Sequence, residues 1–246
     1  MRIGVIADVH GNLLALQAVL ARLRKAAPDL IVNLGDLVSG AFDPAGAADL
    51  QMSLGIPTIS GNHERQLLEG AEGRSDAFAR PLLSQAHLHW MANLPKTVTL
   101  ADGDVFACHG SPAGGDLEYL MEDISTGRPV MDTAGNIAAR LAGIGDARVV
   151  LCGHTHVSRV AWIGDVLIVN PGSVGMPAYR GSFPVPHLVE AGAPHARYAI
   201  IEKTPAGWSA ELHAVAYDFE AAARQAEQAG RNDVAHAMRT GRLPAP

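Results

Sequence analysis

The chain has only two cysteines, Cys108 and Cys152, so no disulfide framework can hold it together. Each lies just before a histidine of a pattern described below, and both read as small buried residues near strand ends. Charged residues are scarce at 18% and aromatics at 5%, while 48% are hydrophobic, which argues against disorder and allows a sizeable core. Basic residues are not in excess: 19 Lys and Arg stand against 25 Asp and Glu, a formal net charge of −6. That leaves no electrostatic footprint for nucleic-acid binding. No apolar run is long enough to span a membrane. The N-terminus runs straight into a strand-like stretch, so no signal peptide and a cytoplasmic location are expected. No repeat and no linker divides the 246 residues, and one domain, 1–246, is expected.

What the chain does have is a run of strands that end in polar residues. Ile3–Ala7 is a short apolar stretch that leads into Asp8-Val9-His10. Asn12 is placed to cap a helix to about Ala26, whose Leu16, Val19, Leu20 and Leu23 follow a helical stripe. A second strand, Leu30–Leu34, stops at Gly35-Asp36, which makes a βαβ unit with parallel strands. A helix near Pro44–Leu54 leads to a third strand, Ile56–Ser60, and then Gly61-Asn62-His63-Glu64. Residues 65–94 read as a helical insertion. The hairpin Thr97–Leu100 and Val105–Cys108 ends in His109-Gly110, and a helix is expected over Asp132–Ile144. A strand to Leu151 is followed by Gly153-His154-Thr155-His156. A last hairpin runs into Asn170-Pro171-Gly172-Ser173. Residues 176–194, rich in proline, read as a loop, and two strands and two helices close the chain.

In an α/β sheet the carboxyl ends of the strands are where ligands bind. The residues collected there are Asp8, His10, Asp36, Asn62, His63, His109, His154 and His156. They are imidazole and hard oxygen donors without thiolate, a set suited to Mn²⁺, Fe, Zn²⁺ or Co²⁺. There are too many for one tetrahedral ion, and two ions sharing a carboxylate fit them better.

Asp8-x-His10, Gly35-Asp36, Gly61-Asn62-His63-Glu64, His109-Gly110 and Gly153-His154-x-His156 resemble, in order, the five signature blocks of the calcineurin-like metallophosphoesterase superfamily. The segment Pro171-Gly172-Ser173-Val174-Gly175 resembles its small bacterial and archaeal phosphodiesterase branch. The resemblance implies a four-layer α/β/β/α sandwich with mixed sheets. It implies one metal on Asp8, His10 and His156, another on Asn62, His109 and His154, and Asp36 bridging them. Mn²⁺ is the expected metal, with Fe, Zn²⁺, Co²⁺ and Ni²⁺ as alternatives. His63 is implied to be unligated and to protonate the leaving group after a metal-bridging hydroxide attacks phosphorus. Glu64 and Asn12 are expected to support the ligands from behind.

The partner expected is a small phosphoester, with no membrane, and a homo-oligomer is compatible with it. With no large cap in view, phosphodiesters, including nucleotide-like ones, are favoured. The alternatives are a phosphomonoesterase or protein phosphatase on the same site, and a non-catalytic metal-binding scaffold. The intact Asn62-His63 pair speaks against the scaffold. After Ser173 this chain departs from its relatives with Met176-Pro177-Ala178-Tyr179-Arg180. Arg180 is the candidate cation for substrate phosphate and Tyr179 a candidate stacking surface. His87, His89, His187, His195, His213 and His236 are set aside as surface or core residues.

Overall fold

The βαβ unit at the start organises the first layer pair. In the computed structural model, which describes residues 1–70 and 73–245, β1 (Arg2–Ile6) lies parallel to β2 (Leu30–Asn33), joined by α1 (Leu13–Ala26). Asn12 caps α1, accepting from the Ala15 N–H at 3.1 Å. Leu16, Val19, Leu20 and Leu23 form its buried stripe, and Arg24 and Lys25 complement the helix dipole in its last turn. Four helices follow: α2 (Pro44–Leu54), α3 (Asn62–Glu69), α4 (Arg74–Ala79) and α5 (Gln85–Ala92). Residues 71 and 72 of the helical insertion lie outside the described residues.

Next come β3 (Thr97–Leu100) and β4 (Val105–Cys108), the short ribbon β5 (Glu122–Asp123) and β6 (Val130–Met131), and α6 (Ala134–Arg140). Then follow β7 (Val149–Leu151), β8 (Arg159–Ile163) and β9 (Val166–Asn170), and a second ribbon, β10 (Ala178–Gly181) with β11 (His187–Glu190). β12 (Ala196–Thr204), β13 (Gly207–Val215), α7 (Phe219–Gln228) and α8 (Asn232–Thr240) end the chain.

The strands build two mixed sheets, in the orders β13-β12-β1-β2 and β3-β4-β7-β9-β8. They face each other across one core: Ile3, Val5 and Val32 from the first sheet meet Val105, Val149 and Val169 from the second. Each such fully buried side chain stabilises by about 1.5–3 kcal/mol. Alternation along β1 sends Ile6 to the other face, where it packs on Leu16 and Leu20 of α1 with Ile200 of β12. On the far side, Ile137 and Leu141 cover Val150 and Ile168. The result is the expected α/β/β/α order of layers. Outside it, α7 and α8 pack on Ala41, Phe42, Met176 and Ala178.

Three expectations need correction. The third strand, Ile56–Ser60, is only a parallel bridge between Asn33 and Thr58, because Pro57 has no N–H to extend the ladder. The helix expected over Asp132–Ile144 spans only Ala134–Arg140, capped by Thr133 and followed by Gly143 and Gly145 with positive φ. The segment 176–194 is not a loop throughout. Ala178–Gly181 pairs antiparallel with His187–Glu190, and Pro177, Pro184, Pro186 and Pro194 all fall outside the paired residues.

Candidate metal centre

Both sheets present the carboxyl ends of their parallel strands to one edge. β4 ends immediately before His109, and β1, β2 and β7 end two or three residues before Asp8, Asp36 and His154. The turns that follow continue the ladders, with Asp8 N–H donating to Gly35 O (3.0 Å) and His10 N–H to Asp36 O (2.9 Å). Eight described non-glycine residues have positive φ, and five of them are Asp8, His10, Asp36, His154 and His156. Left-handed backbone is uncommon outside glycine, and its concentration at one edge marks a functional site.

The side chains form two groups. Asp8, His10 and His156 bring one ligand atom each within 4.8 Å of one another, and so do Asp36, His109 and His154. Asp36 stands between them, its Oδ2 3.2 Å from His109 Nε2 and 3.9 Å from His10 Nε2. Asn62 Oδ1 lies 3.2 Å from the same His109 nitrogen.

The hydrogen bonds around these rings decide what they can hold. Nδ1 of His10, His109 and His156 each lies 2.7 Å from a backbone carbonyl, of Ser39, Leu34 and Met176 respectively. A carbonyl only accepts, so each Nδ1 carries the proton and each Nε2 is left as the inward donor atom. His10 Nε2 and His156 Nε2 then face each other 3.0 Å apart. Beside them Asp8 Oδ2 is buried with no hydrogen-bond partner among the described residues. Opposed lone pairs next to an orphaned carboxylate oxygen fit a shared cation and little else. Burial and neighbouring imidazoles push His10 down to about 4 and His154 to about 3, so both are neutral donors near pH 7. Burial works against ionised Asp36, yet His109 and His63 hold its carboxyl well below the usual range. His109 goes the other way: burial is outweighed by Asp36, which raises it to about 10. A divalent ion between the two would displace that proton.

His63 does not join either group. Its Nδ1 lies 2.8 Å from Asp76 Oδ1, and Ser39 Oγ donates to the same oxygen at 2.6 Å. Nε2 has no protein partner among the described residues, and the ring lines a cavity of about 250 Å³ over the two groups. Burial lowers the His63 pKa, but Asp36 and the hydrogen-bonded Asp76 outweigh it and raise it to about 9. Glu64 is fully buried: its carboxylate accepts the N–H of Asp36 (2.9 Å), Leu37 (2.8 Å) and Gly61 (2.8 Å). It fixes the turn that carries Asp36. Asn12 acts otherwise. Its amide goes to Gly175 O and the Tyr217 hydroxyl, both 3.1 Å, and it makes no hydrogen bond to a candidate ligand.

The segment after β9 locks the last two histidines. Asn170 Nδ2 donates to Gly153 O (2.8 Å), Ser173 Oγ to Asp8 O (2.8 Å) and Met176 N–H to Ser173 Oγ (2.8 Å). Tyr179 packs its ring 4.6 Å from that of His156, and it and Arg180 line the cavity wall. Arg180 is exposed and donates to Pro244 O at 3.1 Å. Cys108 and Cys152 are buried free thiols, raised by burial and outside both groups.

Residues outside the motifs complete the site. Asp76 orients His63, and its only local signal is a carboxylate on a short helix after the motif. His187, set aside as surface or core, is buried and acts through a neighbour. Its Nδ1 donates to Val185 O (2.7 Å), which leaves Nε2 to accept from the Tyr119 hydroxyl (2.8 Å). Tyr119 lies 2.6 Å from the Tyr179 hydroxyl, and its ring is 4.9 Å from that of His154.

The chain resembles known proteins in sequence and in fold. The Methanocaldococcus jannaschii protein MJ0912 is 27% identical over 202 residues, 71% of this chain and 76% of that protein. A metallophosphoesterase from Sphaerobacter thermophilus superposes with a TM-score of 0.74 at 26% identity, covering 98% of this chain and 99% of that one. The protein PH1004 from Pyrococcus horikoshii OT3 shares the fold at a TM-score of 0.76 and 15% identity, covering 99% of each chain. The family model described as the calcineurin-like phosphoesterase superfamily domain matches residues 1–189, the stretch that carries every ligand candidate. On this evidence the chain belongs to the calcineurin-like phosphoesterase superfamily.

Proposed function

We propose that the protein is a dinuclear-metal phosphoesterase that hydrolyses phosphodiesters. The observation that carries this reading is the pair of donor groups joined through Asp36, with His63 beside them and outside both. Asp8, His10 and His156 would hold one ion, Asn62, His109 and His154 the other, and Asp36 both. Nitrogen and carboxylate donors without thiolate suit Mn²⁺. When bound, two such ions neutralise the phosphoryl oxygens and supply a water of lowered pKa as nucleophile.

The remaining work falls to the chain. Asp76 keeps the His63 Nδ1 proton in place, so Nε2–H is aimed at the leaving ester oxygen. His63 gives up that proton as the P–O bond breaks. Glu64 holds the Asp36 backbone so that the shared carboxylate keeps its orientation. The cavity has room for an ester group beside the phosphate, with Tyr179 on its wall, which favours a diester.

The test is a hydrolysis screen over aryl phosphomonoesters, phosphodiesters and nucleotides, with added metals. Chelation is expected to abolish turnover and Mn²⁺ to restore it. Asp36→Asn is expected to lose metal along with activity. Full turnover in a sample shown to be metal-free would refute the reading.

A further inference from the structure

The cavity over the donor groups is lined by groups of both charges. Asp36, His10, His63, His154 and His156 form its floor. Arg180 from β10, Arg231 from the residue before α8 and Ser75 of α4 also line it. Arg231 is only 14% exposed and does not swing freely: Nε and Nη2 donate to the two oxygens of Asp233, both at 2.9 Å. That bidentate clasp fixes the guanidinium plane and leaves Nη1 with one long contact among the described residues, 3.5 Å to Ser75 Oγ. Arg74 Nη1 lies 3.9 Å from the same Asp233 carboxylate. Among the described residues Arg180 bonds only a neutral carbonyl, Pro244 O. Two guanidiniums, Arg231 and Arg74, thus share one carboxylate beside a cavity that Arg180 also lines, in a chain whose formal net charge is −6. A single phosphodiester held on the floor would leave these N–H groups unused.

We infer that Arg231 and Arg180 bind a second phosphate of the substrate, one that is not hydrolysed. The substrate class is then an organic ester bearing at least two linked phosphates, such as a nucleoside polyphosphate. This rests on the phosphoesterase reading and narrows it. Guanidinium suits the task, since it pairs with two phosphate oxygens at once, and one already oriented by Asp233 loses less freedom on binding. Arg231 lies past residue 189, where the family match ends, so no signature block assigns it.

The experiment uses the full Mn²⁺-loaded chain and two readouts. The first is the ratio of kcat/KM for ATP to that for bis(p-nitrophenyl) phosphate, which has one phosphate. The second is calorimetric Kd for a non-hydrolysable β,γ-imido ATP. Arg231→Ala and Arg180→Ala are each expected to lower the ratio and weaken Kd about tenfold or more, the scale of one lost charge-assisted contact. Arg231→Lys, which keeps the charge and loses the fork, is expected to fall between. Melting temperature and metal content identify any variant that merely misfolds, and in that case Arg231→Lys decides. An unchanged ratio and Kd in folded, metal-loaded variants would overturn the inference while the phosphoesterase reading stands. A wild-type protein that cleaves no phosphoester with any metal would overturn both.

Discussion

His63 is gripped on one nitrogen and, among the described residues, free on the other. Asp76 accepts from Nδ1, Ser39 tethers Asp76, and the same Ser39 offers its carbonyl to His10. A general acid needs this asymmetry, because the proton to be delivered must sit on the nitrogen facing substrate. His63→Ala is expected to keep both metals and lower kcat by roughly 10²–10⁴-fold. Asp76→Asn is expected to cost less, about 10–100-fold, because the ring remains but its orientation and charge balance are lost. Both losses should shrink with nitrophenolate as leaving group, which needs little protonation. The double variant should be no worse than His63→Ala, since the two act as one unit. Rates with good and poor leaving groups, alongside metal analysis, check all of this. Loss of metal in His63→Ala would make that residue a ligand.

The elements around the site are held by close approaches as much as by side chains. The turn into α3 passes so near the turn after β2 that a Cβ on Gly61 would collide with Asp36 Oδ1 and come within 2.8 Å of His109 Cε1. Gly61→Ala is therefore expected to reduce metal affinity and activity together, by tenfold or more, through displacement of the shared carboxylate. Metal titration of folded protein followed by circular dichroism separates this from unfolding. The β10–β11 ribbon depends on a different contact. Tyr119→Phe would leave His187 Nε2 buried without its donor. The expected cost is about 1–3 kcal/mol in stability, read from denaturant unfolding, with metal content unchanged. An unaltered unfolding midpoint would show that the tyrosine hydroxyls do not tie the ribbon to the site.

For the molecule as a whole, the candidate ligands are a liability without metal. Asp8 and Asp36 are buried carboxylates, and five ligand residues sit in left-handed backbone. Any ion that binds only the folded chain shifts the equilibrium towards it. At a free Mn²⁺ concentration about a hundredfold above Kd, the expected gain is about 2.7 kcal/mol per site. A melting curve should rise with Mn²⁺ and fall back on chelation. The same curve for Asp36→Asn should respond much less. An identical response in both would place the stabilising ion elsewhere. No helix among the described residues is long and apolar enough to cross a membrane.

Local chemistry made much of this legible. Strands ending in Asp8, Asp36, His109 and His154 could be read from short apolar runs, because strand periodicity and polar breaks are properties of neighbouring residues. The Asn12 cap and the stripe of α1 were legible for the same reason. The ribbon 178–190 was not, since its pairing joins residues separated by a proline-rich turn that looks like loop. Nor were Asp76, Tyr119, His187 and Arg231, which belong to no motif. Their roles come from packing: α4 lays Asp76 against His63, β11 carries His187 to Tyr119, and the turn into α8 brings Arg231 to the cavity wall. Sequence by itself determined which donor atoms reach the sheet edge, because all but Asn62, which opens α3, closely follow a strand end in the chain. Only the tertiary structure decided which residues orient those donors and wall the cavity, because such contacts join segments far apart in the chain and leave no periodic trace in either one.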